Sequence, residues 1–221
     1  MPIDPAEVVR LILAGEAPPG EWVPHIVELR LERSYITDLT PLAALTAVTR
    51  LHLTRSRINN VGPLRSLTGM QRLHLSFTAV RDLAPLAGMT ELEGCFLTGS
   101  LVDDITPLAG LVKLERLDIG DTQVKDATPL AGLCKLRSLD LSGTRVSDLA
   151  PLAALTGLQY LDLSKTPVTD LSPLAGLTDL RWLIARGTKI ADLSVLLHLF
   201  GCQIVTAALA PRRRSDRGPQ A

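Results

Sequence analysis

The sequence predicts an α/β solenoid: a right-handed superhelix with a concave parallel β-sheet, short 3-10 or helical turns on its convex side, and an N-terminal helical cap. Three observations support this. Residues 136–179 hold two consecutive copies of one pattern, L-x-x-L-x-L-x-x-T-x-V-x-D-L-x-P-L-x-x-L-x-x. Eight prolines from Pro19 to Pro173 recur once per repeat with no change of spacing, and Val195 takes the next place. Leucine spacing at a period in the twenties is typical of leucine-rich-repeat solenoids.

The period divides the chain into three predicted regions. Residues 1–25 lack the repeat and form an N-terminal helical cap, which begins with Asp4, Pro5 and Glu7 in N-cap and first-turn positions. Residues 26–210 form the solenoid, with eight full repeats over 26–201 and a terminal partial coil. Residues 211–221 form a disordered basic tail. A cap is expected because the first coil would otherwise expose its leucines and a strand edge.

Each repeat contains one predicted strand and one predicted turn. The x-L-x-L-x portion alternates apolar and polar residues, as a strand with one buried face must. The predicted strands are 29–31, 51–53, 73–75, 95–97, 117–119, 139–141, 161–163, 183–185 and 204–206. Because they recur once per coil, they are expected to stack into a single parallel sheet.

Two polar rows follow the same period. The first is acidic, with one Asn, and lies three residues before the repeated proline position: Asp38, Asn60, Asp82, Asp104, Asp126, Asp148, Asp170 and Asp192. We interpret it as capping of the helical turns, since Asp and Asn accept bonds from free N–H groups there. The second row carries hydroxyl groups that can bond the backbone of a tight turn: Ser34, Ser56, Thr78, Ser100, Thr122, Thr144, Thr166 and Thr188.

Composition limits the class of protein. Charge is balanced, with 23 basic and 23 acidic residues, so the general basic footprint of a nucleic-acid-binding protein is missing. Apolar residues make up 46%, but they never form the run of about 18 expected of a membrane helix. We see no secretory signal, and Cys95 and Cys202 would lie roughly 24 Å apart, too far for a disulfide. A cytoplasmic protein is expected, with export by a route that needs no leader as the alternative.

A family resemblance follows from the wording of the repeat. The segment T-x-V-x-D-L-x-P-L-A-G-L at 166–177 resembles the 22-residue leucine-rich repeats of bacterial internalin-type proteins, and the likeness extends over residues 26–201. One departure is that Ser or Thr occupies the place often held by Asn. The resemblance implies a curved solenoid whose strand face binds another protein, and it implies no catalysis.

The positions that the repeat leaves free on the strand face carry the candidate binding residues. Aromatic and arginine side chains, which often anchor protein interfaces, are concentrated there, and positive charge precedes negative charge along the chain. The predicted partner-binding residues are Arg30, Arg50, His52, Arg72, His74, Phe77, Phe96, Arg116, Asp118, Asp140, Tyr160, Asp162 and Trp182. Gly94 is expected to leave a gap in this wall that could admit a partner's side chain. The acidic column could instead serve only to keep the sheet face hydrated.

These observations favour a non-catalytic module that binds a partner protein on its concave strand face, and the chain is expected to be a monomer without a cofactor. The alternative is an anionic ligand or nucleic acid bound by the basic N-terminal half of that face. His52 and His74 should be neighbours about 5 Å apart, but two nitrogen ligands among arginines favour no metal site. A hydrolase is disfavoured because no nucleophile has a positioned partner.

Overall fold

The computed structural model describes residues 3–199 and 201–206, and the basic tail predicted at 211–221 lies outside the described residues. Nine strands pair in chain order to form one parallel sheet, which confirms the predicted solenoid of leucine-rich repeats. The strands are β1 (Glu28–Arg30), β2 (Arg50–His52), β3 (Arg72–His74), β4 (Gly94–Phe96), β5 (Arg116–Asp118), β6 (Ser138–Asp140), β7 (Tyr160–Asp162), β8 (Trp182–Ile184) and β9 (Gln203–Val205).

Strand boundaries lie one residue earlier than predicted. The residue after each strand still bonds the next coil, since the Leu31 N–H donates to the His52 carbonyl at 2.8 Å, but the chain is already turning there. Neighbouring strands from β1 to β8 are offset by one full repeat, as when Arg50 pairs with Arg72. The last step is one residue shorter, because Trp182 pairs with Gln203 and not with Ile204. The predicted ninth strand, 204–206, also follows the predicted eighth strand, 183–185, by one residue less than a full repeat.

The core is one continuous stack of aliphatic side chains between the sheet and the opposite side of each coil. The middle residue of every central strand points inward, and Leu51, Leu73, Leu139 and Leu161 have no exposed surface. Cys95 takes the same position in β4 and is equally buried. Because each leucine contacts its counterparts in neighbouring coils, no single coil contains a complete core, as is general for repeat proteins.

An α-helix covers the first coil, as predicted. Helix α1 (Pro5–Leu13) begins with proline at its first position, and the Asp4 carboxylate accepts a hydrogen bond from the Ala6 N–H at 2.9 Å. Val8 and Ile12 are buried against the core of the first coil. The amphipathic helix thereby shields leucines that would otherwise face water at the start of the stack.

The return side of each coil is a short 3-10 helix. The acidic row acts as predicted: each Oδ1 accepts a hydrogen bond from the backbone N–H two residues later, at 2.8 Å in Asn60 and in Asp126. The 3-10 helices are Val23–His25, Thr40–Leu42, Gly62–Ser66, Ala84–Leu86, Thr106–Leu108, Thr128–Leu130, Ala150–Leu152, Ser172–Leu174 and Ser194–Leu196.

Most members of the hydroxyl row close the turn after the strand. The Thr144 hydroxyl donates to the Leu141 carbonyl at 2.6 Å, and five other members bond in the same way. Ser56 and Ser100 differ, because their buried Oγ atoms have no hydrogen-bond partner among the described residues. The row is therefore structural, as predicted, with two members that leave a polar group unsatisfied.

Candidate functional site

The strand face is the exposed surface formed by the first and third residues of β1–β9. These side chains point away from the core because strand residues alternate between the two sides of a sheet. The register aligns the first positions of β1–β8 in one column: Glu28, Arg50, Arg72, Gly94, Arg116, Ser138, Tyr160 and Trp182. The third positions form a parallel column: Arg30, His52, His74, Phe96, Asp118, Asp140, Asp162 and Ile184. Every predicted binding residue except Phe77 therefore shares this face.

Three rings stack along the early part of the second column. The centroids of His52 and His74 are 4.5 Å apart, and those of His74 and Phe96 are 4.3 Å apart. The rings are nearly parallel, with interplanar angles of 12° and 8°. Burial lowers the pKa of His74, and the neighbouring His52 lowers it further. The stack thus favours a neutral His74 and presents a flat, partly apolar strip.

Two glutamates neutralise part of the basic end of the strand face. Glu28 lies 2.7 Å from an Arg30 nitrogen, 3.5 Å from Arg50 and 3.4 Å from His52. Glu32 is 3.6 Å from the other ring nitrogen of His52. These contacts lower the pKa of Glu28, chiefly through the hydrogen bond from Arg30. Sequence reasoning missed both glutamates as members of the site, although Glu28 shares a column with Arg50.

The gap expected at Gly94 is closed, which corrects that prediction. A Cβ atom built on Gly94 would lie 3.2 Å from Cε2 of Phe96 and 3.7 Å from Cγ of Arg72. The Phe96 ring thus leans across the glycine and fills the space a side chain would take. Glycine here allows a large ring to lie flat on the sheet, and it admits nothing from outside.

The acidic column has a structural role that the sequence did not indicate. Oδ1 of Asp140 accepts a hydrogen bond from the Ser142 N–H at 2.8 Å, and Asp118 and Asp162 make the corresponding bonds to Gly120 and Ser164. Burial nevertheless raises the pKa of Asp140. The hydrogen bonds with Ser142 lower this pKa, whereas the neighbouring carboxylates of Asp118 and Asp162 raise it further. Among the described residues no Lys or Arg forms an ion pair with these three carboxylates.

A groove of about 620 Å³ crosses the later strands. Tyr160 and Trp182 stand side by side on β7 and β8 at one end, and Phe96 on β4 lies at the other. Trp182 is 45% exposed. Among the lining residues that were not predicted, three form a column of their own: Arg137, Gln159 and Arg181. They occupy the position before the strand in successive repeats, so the same column analysis applied one place earlier would have found them.

Phe77 lies on a ridge beside the strand face, where the chain turns after each strand. At this turn the backbone φ is positive in each coil from β1 to β8. Non-glycine residues have this conformation in five coils, with φ between 51° and 59°: Arg33, Arg55, Phe77, Asp121 and Lys165. Gly99, Gly143 and Gly187 fill the same place in the remaining coils. Phe77 extends over Gly99, where a Cβ would lie only 2.7 Å from its ring.

Other kinds of site find little support in the described part of the chain. No three His, Cys, Asp or Glu side chains within residues 3–199 and 201–206 come together as metal ligands. Cys95, Cys134 and Cys202 are free thiols, and burial raises the pKa of Cys95 to about 12. None of the helices described is long and apolar enough to span a bilayer.

Comparison with known proteins agrees with the repeat pattern. A family model for two copies of leucine-rich repeats matches residues 134–176. A comparison with curated proteins gives no match. Solved structures with the same fold include a leucine-rich-repeat protein of Leptospira interrogans, with 18% identity over 82% of this chain and 54% of that protein and a TM-score of 0.71. At that identity the likeness concerns the fold alone.

Two internalins of Listeria monocytogenes are more similar. The internalin InlF has 26% identity over 90% of this chain and 67% of its own, with a TM-score of 0.73. Internalin C2 has 30% identity over 92% of both chains, with a TM-score of 0.84. The chain belongs to the leucine-rich-repeat proteins, and its repeats are of the internalin-like 22-residue class.

Proposed function

We propose that this protein is a non-catalytic module that binds a partner protein on its strand face. Leucine-rich repeats generally serve protein–protein interaction, and the proposal assigns that role to a particular surface. The observation that carries it is the side-by-side position of half-buried Tyr160 and exposed Trp182 on adjacent strands at the end of the groove. Large aromatic side chains lose little conformational entropy on binding and dominate the energetics of many interfaces.

Charge on the same face supports recognition of a folded or extended protein surface. The acidic column runs beside the aromatic pair, while Arg116, Arg137 and Arg181 line the same groove. A surface with both signs of charge orients its partner and penalises partners whose charges are mismatched. The three free cysteines fit a reducing compartment, so the proposal includes a cytoplasmic location. We also propose that the protein acts as a monomer.

The alternative of an anionic ligand or nucleic acid on the basic half of the strand face is less well supported. Glu28 already pairs with Arg30 and Arg50, so much of the positive charge is compensated within the face. Asp118, Asp140 and Asp162 continue the same surface and would repel a long polyanion. Binding of nucleic acid that falls steeply with salt concentration would favour this alternative.

The test is affinity capture from lysate of the source cells with two matched double variants. Tyr160→Ala/Trp182→Ala removes the aromatic pair, and Leu101→Ala/Val112→Ala removes two side chains that are each 54% exposed outside the strand face. We expect the first variant to lose the captured protein and the second to retain it, with the thermal midpoints of both close to that of the parent. Retention by the aromatic variant would contradict the proposed face.

A further inference from the structure

A second exposed cluster lies outside the groove, on the ridge of the first three coils. It consists of Arg33, Tyr35, Arg55, Arg57 and Phe77, which we call the N-terminal ridge. Tyr35 is 78% exposed and Phe77 is 48% exposed. The guanidinium carbon of Arg57 lies 4.6 Å from the centre of the Tyr35 ring, and that of Arg55 lies 5.0 Å from the centre of the Phe77 ring. Two arginine–aromatic stacks therefore bridge neighbouring coils.

These stacks leave the hydrogen-bonding edges of both guanidiniums available. A cation–π contact uses the charge of the guanidinium and none of its N–H donors, and among the described residues neither Arg55 nor Arg57 donates a side-chain hydrogen bond. Arg33, Arg55 and Arg57 form no ion pair among the described residues, in contrast to Arg30 and Arg50 on the strand face. Such a planar fork matches a carboxylate in a two-point hydrogen-bonded pair.

The backbone holds the ridge side chains in fixed positions. Arg33, Arg55 and Phe77 adopt φ values of 55°, 59° and 56°, a conformation that glycine takes without strain and that glycine does take in three later coils. The ridge is held firmly, because the Arg33 N–H donates to Thr54 and the Arg55 N–H donates to Ser76, both at 2.9 Å. Positive φ at the same place in Asp121, Lys165 and the glycines shows that this conformation belongs to the turn of the repeat, which fixes where the ridge side chains stand.

A pocket of about 520 Å³ connects the ridge to the ring stack on the strand face. Arg33, Arg55 and Phe77 form its outer wall, and His52 and His74 form its inner wall. Glu32 contributes one carboxylate, which faces His52. The positive charge of Arg33 and Arg55 therefore exceeds the negative charge of Glu32 at this pocket, and Arg57 adds to it from the same ridge.

We propose that the N-terminal ridge binds a short acidic segment of a protein, whose carboxylates pair with Arg33, Arg55 and Arg57. The length is limited by the structure: three coils span about 10 Å, which suits a few residues of extended chain. A longer polyanion that continued along the ridge would meet Asp121, and one that crossed onto the strand face would meet the acidic column. The surface is separate from the groove at Tyr160 and Trp182, so it adds a second contact to the proposed function.

The test uses three fluorescein-labelled probes of equal length at low salt: hexaglutamate, hexalysine and a six-residue oligothymidylate. Fluorescence anisotropy should show saturable binding of hexaglutamate, with a dissociation constant below about 1 mM, and no binding of hexalysine. Arg55→Gln/Arg57→Gln should weaken hexaglutamate binding at least about fivefold. Arg145→Gln is the matched control, because Arg145 occupies the repeat position of Arg57 four repeats later and contacts no aromatic ring; the expected change is below about twofold.

The outcomes separate this inference from the proposed function. Tyr160→Ala/Trp182→Ala should bind hexaglutamate as the parent does, whatever happens to its captured partner. Equal weakening by Arg145→Gln would show unspecific attraction and would overturn the inference, as would a failure of hexaglutamate to bind. Oligothymidylate that binds as tightly, with the same loss in Arg55→Gln/Arg57→Gln, would reassign the ridge to phosphate and also overturn it. Unchanged far-ultraviolet circular dichroism confirms that the variants are folded.

Discussion

Replacement of Leu139 by alanine should destabilise the whole stack, because Leu139 lies in the middle strand position of β6 and has no exposed surface. Leucine-to-alanine changes in closed cores lose about 3–4 kcal/mol, through lost transfer energy and the remaining cavity. Leu117 and Leu161 flank the site in register, so little backbone can move in to fill that cavity. For a chain of this length the loss corresponds to a fall of about 6–16 °C in the thermal midpoint.

The two tryptophans provide a probe near each end of the stack. Trp22 packs against the core near the first coil, and Trp182 lies on β8. In Trp22→Phe and Trp182→Phe backgrounds, urea unfolding followed by fluorescence reports on one end at a time. Since coils depend on their neighbours, Leu139→Ala should shift both transitions by the same free energy.

The control for Leu139→Ala is Leu101→Ala, a side chain that is 54% exposed and should change stability by less than about 0.5 kcal/mol. A loss below about 1 kcal/mol in Leu139→Ala at both probes would refute the core assignment. A shift at only one probe would refute the coupling between coils.

Five further substitutions, at four positions, test polar features of the repeat. Thr144→Val should lower the unfolding free energy by about 1–2 kcal/mol, because it removes the hydroxyl bonded to the Leu141 carbonyl. Ser100→Ala should be neutral or stabilising, because the Ser100 Oγ has no hydrogen-bond partner among the described residues. Urea titration measures both free energies. Asp126→Ala should cost about 1 kcal/mol and Asp126→Asn almost nothing, since Asn60 makes the same bond in the second coil. Asp140→Asn should stabilise the protein at pH 7. Burial raises the pKa of Asp140 in the folded state above 3.8, so the ionised carboxylate disfavours folding at pH 7. The gain in unfolding free energy should vanish when urea unfolding is measured below pH 3.8.

The repeat made the fold predictable because it is a local signal present in every coil. Asp126 and Thr144 bond atoms within three residues along the chain, so their roles follow from the pattern alone. The ninth strand does not follow the strict period, because one residue fewer separates Gln203 from Trp182. We nevertheless predicted it at 204–206, one residue later than its position in the structure.

The details of the candidate site depend on side-chain conformations that cross between coils or along a strand. Phe96 fills the space above Gly94, and Glu28 reaches Arg50 on the next strand; neither orientation follows from position in the repeat. Tyr35 was missed because its partner Arg57 belongs to the next repeat and lies on the ridge, outside the columns of the strand face.

The constant offset of one repeat between successive strands from β1 to β8 makes each coil an exchangeable unit. An extra copy of residues 138–159, inserted after Gln159, would preserve every hydrogen-bond partner and lengthen the sheet by one strand, about 4.8 Å. Such an insertion moves the aromatic pair away from the arginine–aromatic stacks without altering either. A partner that contacts both surfaces at once would then have to bridge the added distance.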